Sequence, residues 1–164
     1  MELQLVDEND PVLKQIAEPY DFDNWVVEPN LEELVKAMTK TMFLKGGIGL
    51  AAPQVGISKR IFIMGNEEKL IVCVNPEVVS GEGEVQDVEG CLSFPGLWLH
   101  VKRYKKIVAR YQTITGETKQ EEFEELMARV FQHELNHLDG QCFVEKVGKL
   151  SLKMAQVRRK KNLR

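Results

Sequence analysis

A chain of 164 residues with 43% hydrophobic and 29% charged content is the size and composition of one globular domain with a real core. A net charge of −3 argues against a nucleic-acid-coating protein, and no stretch resembles a signal peptide or reaches transmembrane length, so a cytoplasmic protein is expected. Cys73, Cys91 and Cys142 are an odd set, unsuited to a disulfide framework.

Residues 1–29 read as an arm with little regular structure. Asp10-Pro11 and Glu18-Pro19 break it, and Val12, Leu13 and Ile16 suit a short helical turn. Asn30 reads as an N-cap with Glu33 three residues on, and Leu31, Leu34, Val35, Met38 and Met42 give helical spacing to about residue 44. Gly46 and Gly47 end that helix. The following Gly47-Ile48-Gly49-Leu50-Ala51-Ala52 loosely matches a dinucleotide fingerprint, but a helix precedes it and Pro53 spoils the helix that should follow. A tight apolar segment that admits another backbone closely is the better reading.

Arg60–Met64 and Leu70–Asn75 form a hairpin pattern about Gly65-Asn66. Val78-Val79 and Glu84–Val88 continue the strand signal in pieces. Glu89–Gly96 reads as a turn-rich loop, Lys106–Gln112 as a strand, and Thr115-Gly116 as a turn into a polar strand ending near Phe123. Phe123, Leu126, Met127, Val130, Phe131 and Leu138 then give the apolar stripe of a helix, stopped by Gly140. Residues 148–161 suggest a last helix, with Leu150, Met154 and Val157 on one side to hold it on the body and the basic face outward.

The chemistry concentrates in His133-Glu134-Leu135-Asn136-His137, an H-E-x-x-H pattern. At about 100° per residue, the two histidines project roughly 40° apart, one turn along the helix. Their nitrogens can converge on one metal ion, with Glu134 close enough to handle the proton of a water. All three fall on the apolar stripe, where buried polar groups need partners, whereas Asn136 falls on the opposite face. The bland alternative is a helix with two hydrogen-bonded core histidines.

A catalytic site needs a third protein ligand. The longer H-E-x-x-H-x-x-G-x-x-H motif fails, because its last position is Phe143. His100, the three cysteines and an acidic residue remain. Cys91 is the most attractive, since a glycine-flanked loop can present a thiolate; Cys73 and Cys142 suit core packing.

Gly47–Gln54, Glu89–Ser93 and His133–His137 together resemble the three motifs of the peptide deformylase family, in its order. Asp10–Leu13 and Ala17–Pro19 resemble its N-terminal pattern, so the likeness spans nearly the whole chain. It implies an α+β fold with mixed and antiparallel sheets around a central metal-binding helix, in a single catalytic domain over residues 1–164. It also implies Cys91, His133 and His137 as ligands of Fe(II), replaceable by Zn(II), Ni(II) or Co(II). Glu134 becomes the general acid/base, and Gln54 with the Leu92 N–H the oxyanion donors. Glu89 orients the site with Arg103 as its ion-pair partner, and Gly49 lies beside the substrate backbone. A formyl-methionyl peptide would add as a strand near Ile48–Leu50, its methionine in a pocket near Ile48, Leu126 and Val130.

Asn136 departs from the family's usual aspartate and predicts altered support behind the site. The rival readings are a zinc endopeptidase on the same H-E-x-x-H residues and a cysteine hydrolase with Cys91 as nucleophile. After Glu145 no acidic residue occurs, and the basic stretch 146–164 resembles the ribosome-docking helix of family members. No membrane or sequence-specific nucleic-acid partner is expected.

Overall fold

The computed structural model describes residues 2–24 and 30–162. Its backbone is one antiparallel meander with helices against it. Helix α1 spans Leu31–Leu44, then come β1 (Gly49–Ala51), β2 (Ile61–Gly65), β3 (Leu70–Cys91), β4 (Phe94–Gln112) and β5 (Thr118–Glu124). Helix α2 spans Glu125–Leu138 and α3 spans Lys149–Asn162, with 3-10 turns at Pro11–Lys14, Ala52–Val55 and Phe143–Lys146. The expectation of mixed sheets is corrected: all five named strands pair antiparallel, in the order β1-β2-β3-β4-β5. Among the described residues the one parallel contact is an isolated bridge, Glu18 to Lys59.

Sequence periodicity cut the middle of the chain into pieces, and the structure joins them. β3 and β4 are long because bulges at Val74/Glu77, Val78/Ser80 and Glu89/Cys91 let the ladder resume after each irregularity. Each bulge shifts the inside-outside alternation, so the period read from sequence breaks where the strand does not. Asn75 is one such point, with φ +50°, a conformation asparagine tolerates. Its side chain accepts from Tyr20 N and donates to Tyr20 O and Gln112 Oε1. Phe123, read above both as the end of a strand and as part of the helical stripe, lies in β5 opposite Ile107.

The side chains form three connected cores. One joins α2 to β2–β5 through Phe131, Phe62, Phe123 and Ile107. Another packs α1 on β1 and β2 through Leu34, Met38, Leu50 and Ile63. The third gathers Leu97, Leu99 and Val101 of β4 with Leu13, Phe143 and Ala155. As expected, Asn30 caps α1 by accepting from Glu33 N.

Contacts at its end and its middle fix α2. Its last turn is met by Ala17 N, which donates to Leu138 O, and by Arg60, which donates to Leu138 O and pairs with Asp139. A cation there also suits the helix dipole. Nearer its middle, Gln132 accepts from Tyr104 N and donates to Tyr104 O. The β4–β5 ladder stops at Lys106–Glu124, so this side-chain amide continues the ladder where β5 has become helix.

The assignment of Leu150, Met154 and Val157 as the packed side of α3 is corrected. They are 72%, 52% and 48% exposed, while Ala155 is buried and Leu152 partly so. Arg159 decides which side faces inward. It pairs with Glu8 at 2.6 Å and donates from Nε to Pro95 O at 3.0 Å. The small Ala155 side chain allows the close approach this requires.

Candidate active site

A cavity of about 580 Å³ opens between β1, the β3–β4 hairpin end and α2. Its lining includes Ile48, Gly49, Gln54, Glu89, Cys91, Leu92, Leu126, Val130, His133 and Glu134, so most of the residues singled out from sequence meet here. Leu50 does not: its side chain is fully buried against α1, and only its backbone stands on β1. Cys91 sits on no loop. It is the last residue of β3, paired with Phe94 across the turn Leu92-Ser93.

Ligand atoms of Cys91, His133 and His137 all lie within 4.8 Å of one another, and Cys91 Sγ is 3.3 Å from His137 Nε2. A tetrahedral cation with bonds of about 2.0–2.3 Å separates such donors by roughly 3.3–3.7 Å, so a small closure brings them onto one ion. Cys142 is elsewhere: its Sγ lies 3.9 Å from the other nitrogen, His137 Nδ1. Burial, aided by Cys91 and Glu145, pushes the Cys142 thiol up to about 12, so it stays protonated. Cys73 is buried in β3, as expected.

Behind His133 stands an acid with its own counter-ion. Glu89 Oε1 accepts from His133 Nδ1 at 2.9 Å, which fixes the tautomer and turns Nε2 toward the cavity. Arg103 grips both Glu89 oxygens at 2.9 Å, the pairing guessed from sequence. Burial alone would raise the Glu89 carboxyl; hydrogen bonds from Arg103 and His133 outweigh it and hold it at about 2. The third arm of Arg103 donates to Asn136 Oδ1. Asn136 thus faces away from the ligands yet supports them through Arg103, and an amide oxygen serves there as the acceptor.

Electrostatics fit a bound cation. Burial disfavours charge on His133, but Cys91 and Glu89 overcome this and hold a proton there up to about 10. Contacts with Cys91 and Glu89 favour a positive charge at this point, and a metal ion can take the proton's place. His137 is held well below its usual value by burial, then by His133 and Arg103, which keeps it an unprotonated donor.

Glu134 is the one buried side-chain oxygen bearer among the described residues with an atom, Oε2, lacking a partner. Burial raises its carboxyl to about 7 against the pull of His133. A Cβ on Gly49 would lie 2.5 Å from Glu134 Oε1 and 2.9 Å from Val130 Cγ1, so glycine is required there. Gln54 is oriented by accepting from Ala51 N, and its amide donates to Ser93 Oγ at 2.9 Å with Cys91 Sγ at 3.6 Å. Phe143, which stands where the longer zinc motif has histidine, packs against the His133 ring at 5.6 Å between centroids.

Sequence reasoning missed Gln132, Trp98 and Arg129. Gln132 adjoins the motif and carries no apolar signal. Trp98 and Arg129 line the cavity from positions that only the β3–β4 pairing and the turn of α2 bring there.

An acid poised near neutrality beside converging cation donors is equipped to activate water against a carbonyl carbon, which places the chain among metal-assisted hydrolases. A family model described as polypeptide deformylase matches residues 2–153. Peptide deformylase of Carboxydothermus hydrogenoformans is 43% identical over 143 residues, covering 87% of this chain and 91% of that protein. The Thermotoga maritima enzyme is 41% identical over 140 residues, covering 84% and 82%. The crystal structure of a peptide deformylase from Legionella pneumophila superposes with a TM-score of 0.90 at 33% identity, covering 99% of this chain and 95% of that one. One from Synechococcus elongatus, in complex with actinonin, gives 0.87 at 34% identity, covering 96% and 86%.

The chain belongs to the peptide deformylase family. Its reaction is hydrolysis of the formamide of formyl-methionyl nascent chains, with release of formate. These relatives support neither the endopeptidase nor the cysteine-hydrolase alternative.

Proposed function

We propose that Cys91, His133 and His137 hold the catalytic cation on a central helix, α2, and that Glu134 is the general acid/base. The observation that carries this is the convergence of the three donors within 4.8 Å beside the unpartnered Glu134 Oε2. Fe(II) is the proposed native ion, with Zn(II), Ni(II) or Co(II) able to replace it. When bound, the cation acidifies water and polarises the formyl carbonyl.

The protein's own groups do the rest. Glu134 takes the proton of the attacking water at a carboxylate oxygen and later delivers one to the departing amine. The Gln54 amide and the Leu92 N–H supply the donors to the oxygen that becomes negative. Gly49 clears the approach of the peptide, which lies along the free edge of β1 as an added strand, its backbone against Ile48–Leu50. Val130, Leu126 and Ile48 receive the methionine side chain, an apolar and adaptable group. Glu89, gripped by Arg103, keeps His133 in the ligating tautomer.

Single-domain organisation over 1–164, a cytoplasmic location and ribosome contact through 146–164 complete the reading. No described helix is long and apolar enough to cross a membrane. Lys149, Lys153, Arg158, Lys160 and Lys161 are exposed on α3, which supports docking to a polyanion; Arg164 lies outside the described residues.

The test is formate release from formyl-methionyl peptides before and after chelation, with metal content by elemental analysis. Loss on chelation and recovery with Fe(II), Ni(II) or Co(II) is expected. The Fe(II) form should lose activity in air, because a thiolate beside a redox-active ion invites oxidation. Full activity in metal-free protein would refute the reading.

A further inference from the structure

Trp98 has no reason in the fold to be tryptophan. Along β4, Leu97 and Leu99 are buried in the third core, so alternation sends the side chain between them to the opposite face. There it remains 60% exposed, at a position where a polar residue is the default. The ring is nevertheless placed. It lies across Gly90, where an added Cβ would sit 2.6 Å from Cζ3 and 3.0 Å from Cε3 and Cη2. Gly90 directly precedes Cys91, and Trp98 lines the same cavity as Cys91, His133 and Glu134.

The neighbours on this wall are apolar as well. Val88 and Leu126 line the cavity and are exposed, and the nearby cation Arg129 is already paired with Asp87 at 2.5 Å. Ile48, Gly90 and Trp98 line the same cavity, so a peptide seated along β1 with its methionine inside would run past Trp98.

We propose that Trp98 is a specificity-determining residue for the residues that follow the formyl-methionine, favouring an aromatic side chain at the second or third position. The proposal rests on the deformylase activity of this cavity. Gly90 lets the indole lie close against the backbone, and its exposed surface borders the cavity that the outgoing peptide leaves. An aromatic ring seated on that surface gains by stacking and by removing exposed indole from water. Stacking alone is worth roughly 2- to 12-fold in binding.

The experiment compares kcat/KM, from formate release, for formyl-Met-Ala-Ala, formyl-Met-Phe-Ala and formyl-Met-Ala-Phe, using the full-length metal-loaded enzyme. The native enzyme is expected to favour one phenylalanine peptide by about tenfold, mainly through KM. Trp98→Ala and Trp98→Gln should bring that ratio close to one, and Trp98→Phe should keep part of it. Each ratio is measured within one protein, so differences in metal loading cancel. Should Trp98→Ala fold poorly, the Trp98→Gln and Trp98→Phe ratios decide. No preference in the native enzyme, or the same preference in Trp98→Ala and Trp98→Gln, overturns the proposal while leaving the deformylase reading intact. No formate from any peptide overturns both.

Discussion

Glu134→Gln keeps the volume of the side chain and removes its ability to take a proton. Turnover should fall by ~10²–10⁴-fold while metal content stays unchanged. Glu134 works as the carboxylate, so kcat/KM rises with pH as the group ionises. Burial sets that midpoint at about 7 without metal, and the cation's charge favours the ionised form, so the acid limb of the loaded enzyme should lie below 7. A limb above 7, or a limb that persists in Glu134→Gln, would remove the assignment. Cys91→Ala should lose the metal, whereas Cys142→Ala keeps it, because Cys142 touches only the far nitrogen of His137. Asn136→Leu takes the acceptor from a buried guanidinium and should destabilise the protein by ~1–3 kcal/mol in denaturant titration, while Asn136→Asp restores an acceptor and should be close to neutral. At this scale the sequence was informative wherever chemistry forces a spacing. H-E-x-x-H announced two ligands and an acid by helical geometry. Cys91 could not be chosen by spacing and needed the family likeness, since a thiolate can come from anywhere in the chain. Trp98 was silent because exposure is a property of strand pairing.

Helix α2 shows how an element is held by groups outside its own pattern. Gln132 stands in for the missing continuation of β5, donating to and accepting from Tyr104. Gln132→Leu preserves size but leaves the Tyr104 N–H and C=O without this partner. It should cost ~1–3 kcal/mol of stability and raise hydrogen exchange at Tyr104. Unchanged exchange there would mean that another group or water replaces the amide. The helices were legible from sequence, α1 and α2 to within a residue or two, because apolar spacing agreed with the Asn30 cap of α1 and the Gly140 stop of α2. β3 and β4 were legible only in fragments, since a bulge reverses the alternation without ending the strand. In α3 the apolar spacing misled: three apolar residues mark a stripe, but the helix docks through small Ala155 and the Arg159 pair with Glu8.

For the whole molecule, the ribosome proposal meets a constraint from packing. Cutting the chain after Glu145 would strip Leu152 and Ala155 from the third core and release Glu8, so lost binding could simply reflect a damaged fold. Reversing charge at exposed Lys153, Arg158, Lys160 and Lys161 leaves those contacts in place. The four-site variant should keep its thermal midpoint and deformylate peptides normally, yet cosediment with ribosomes far less at low salt. Binding of the native chain should also fall steeply as salt rises. Equal, salt-insensitive cosedimentation would assign docking to another surface. Overall architecture was predictable as helix plus sheet, but the wholly antiparallel pairing of the named strands and the placement of the two ends were not. Glu8 and Arg159 are 151 residues apart and meet in a hydrogen-bonded ion pair beside the third core.

That long-range stitching has a kinetic consequence. Cys91 and His137 are separated by 46 positions, and the end of α2 is closed by Ala17 and Arg60 from far upstream. No short segment contains all three donors, so an ion has no local nucleus to build around, and chain collapse has to come first. Contacts this distant in sequence also make for slow folding. Glu89, Arg103 and Asn136 meanwhile hold His133 in its final pose without help from the ion. Refolding in the presence of a chelator should therefore run at the same rate and reach the same fold, with activity appearing only when metal is added afterwards.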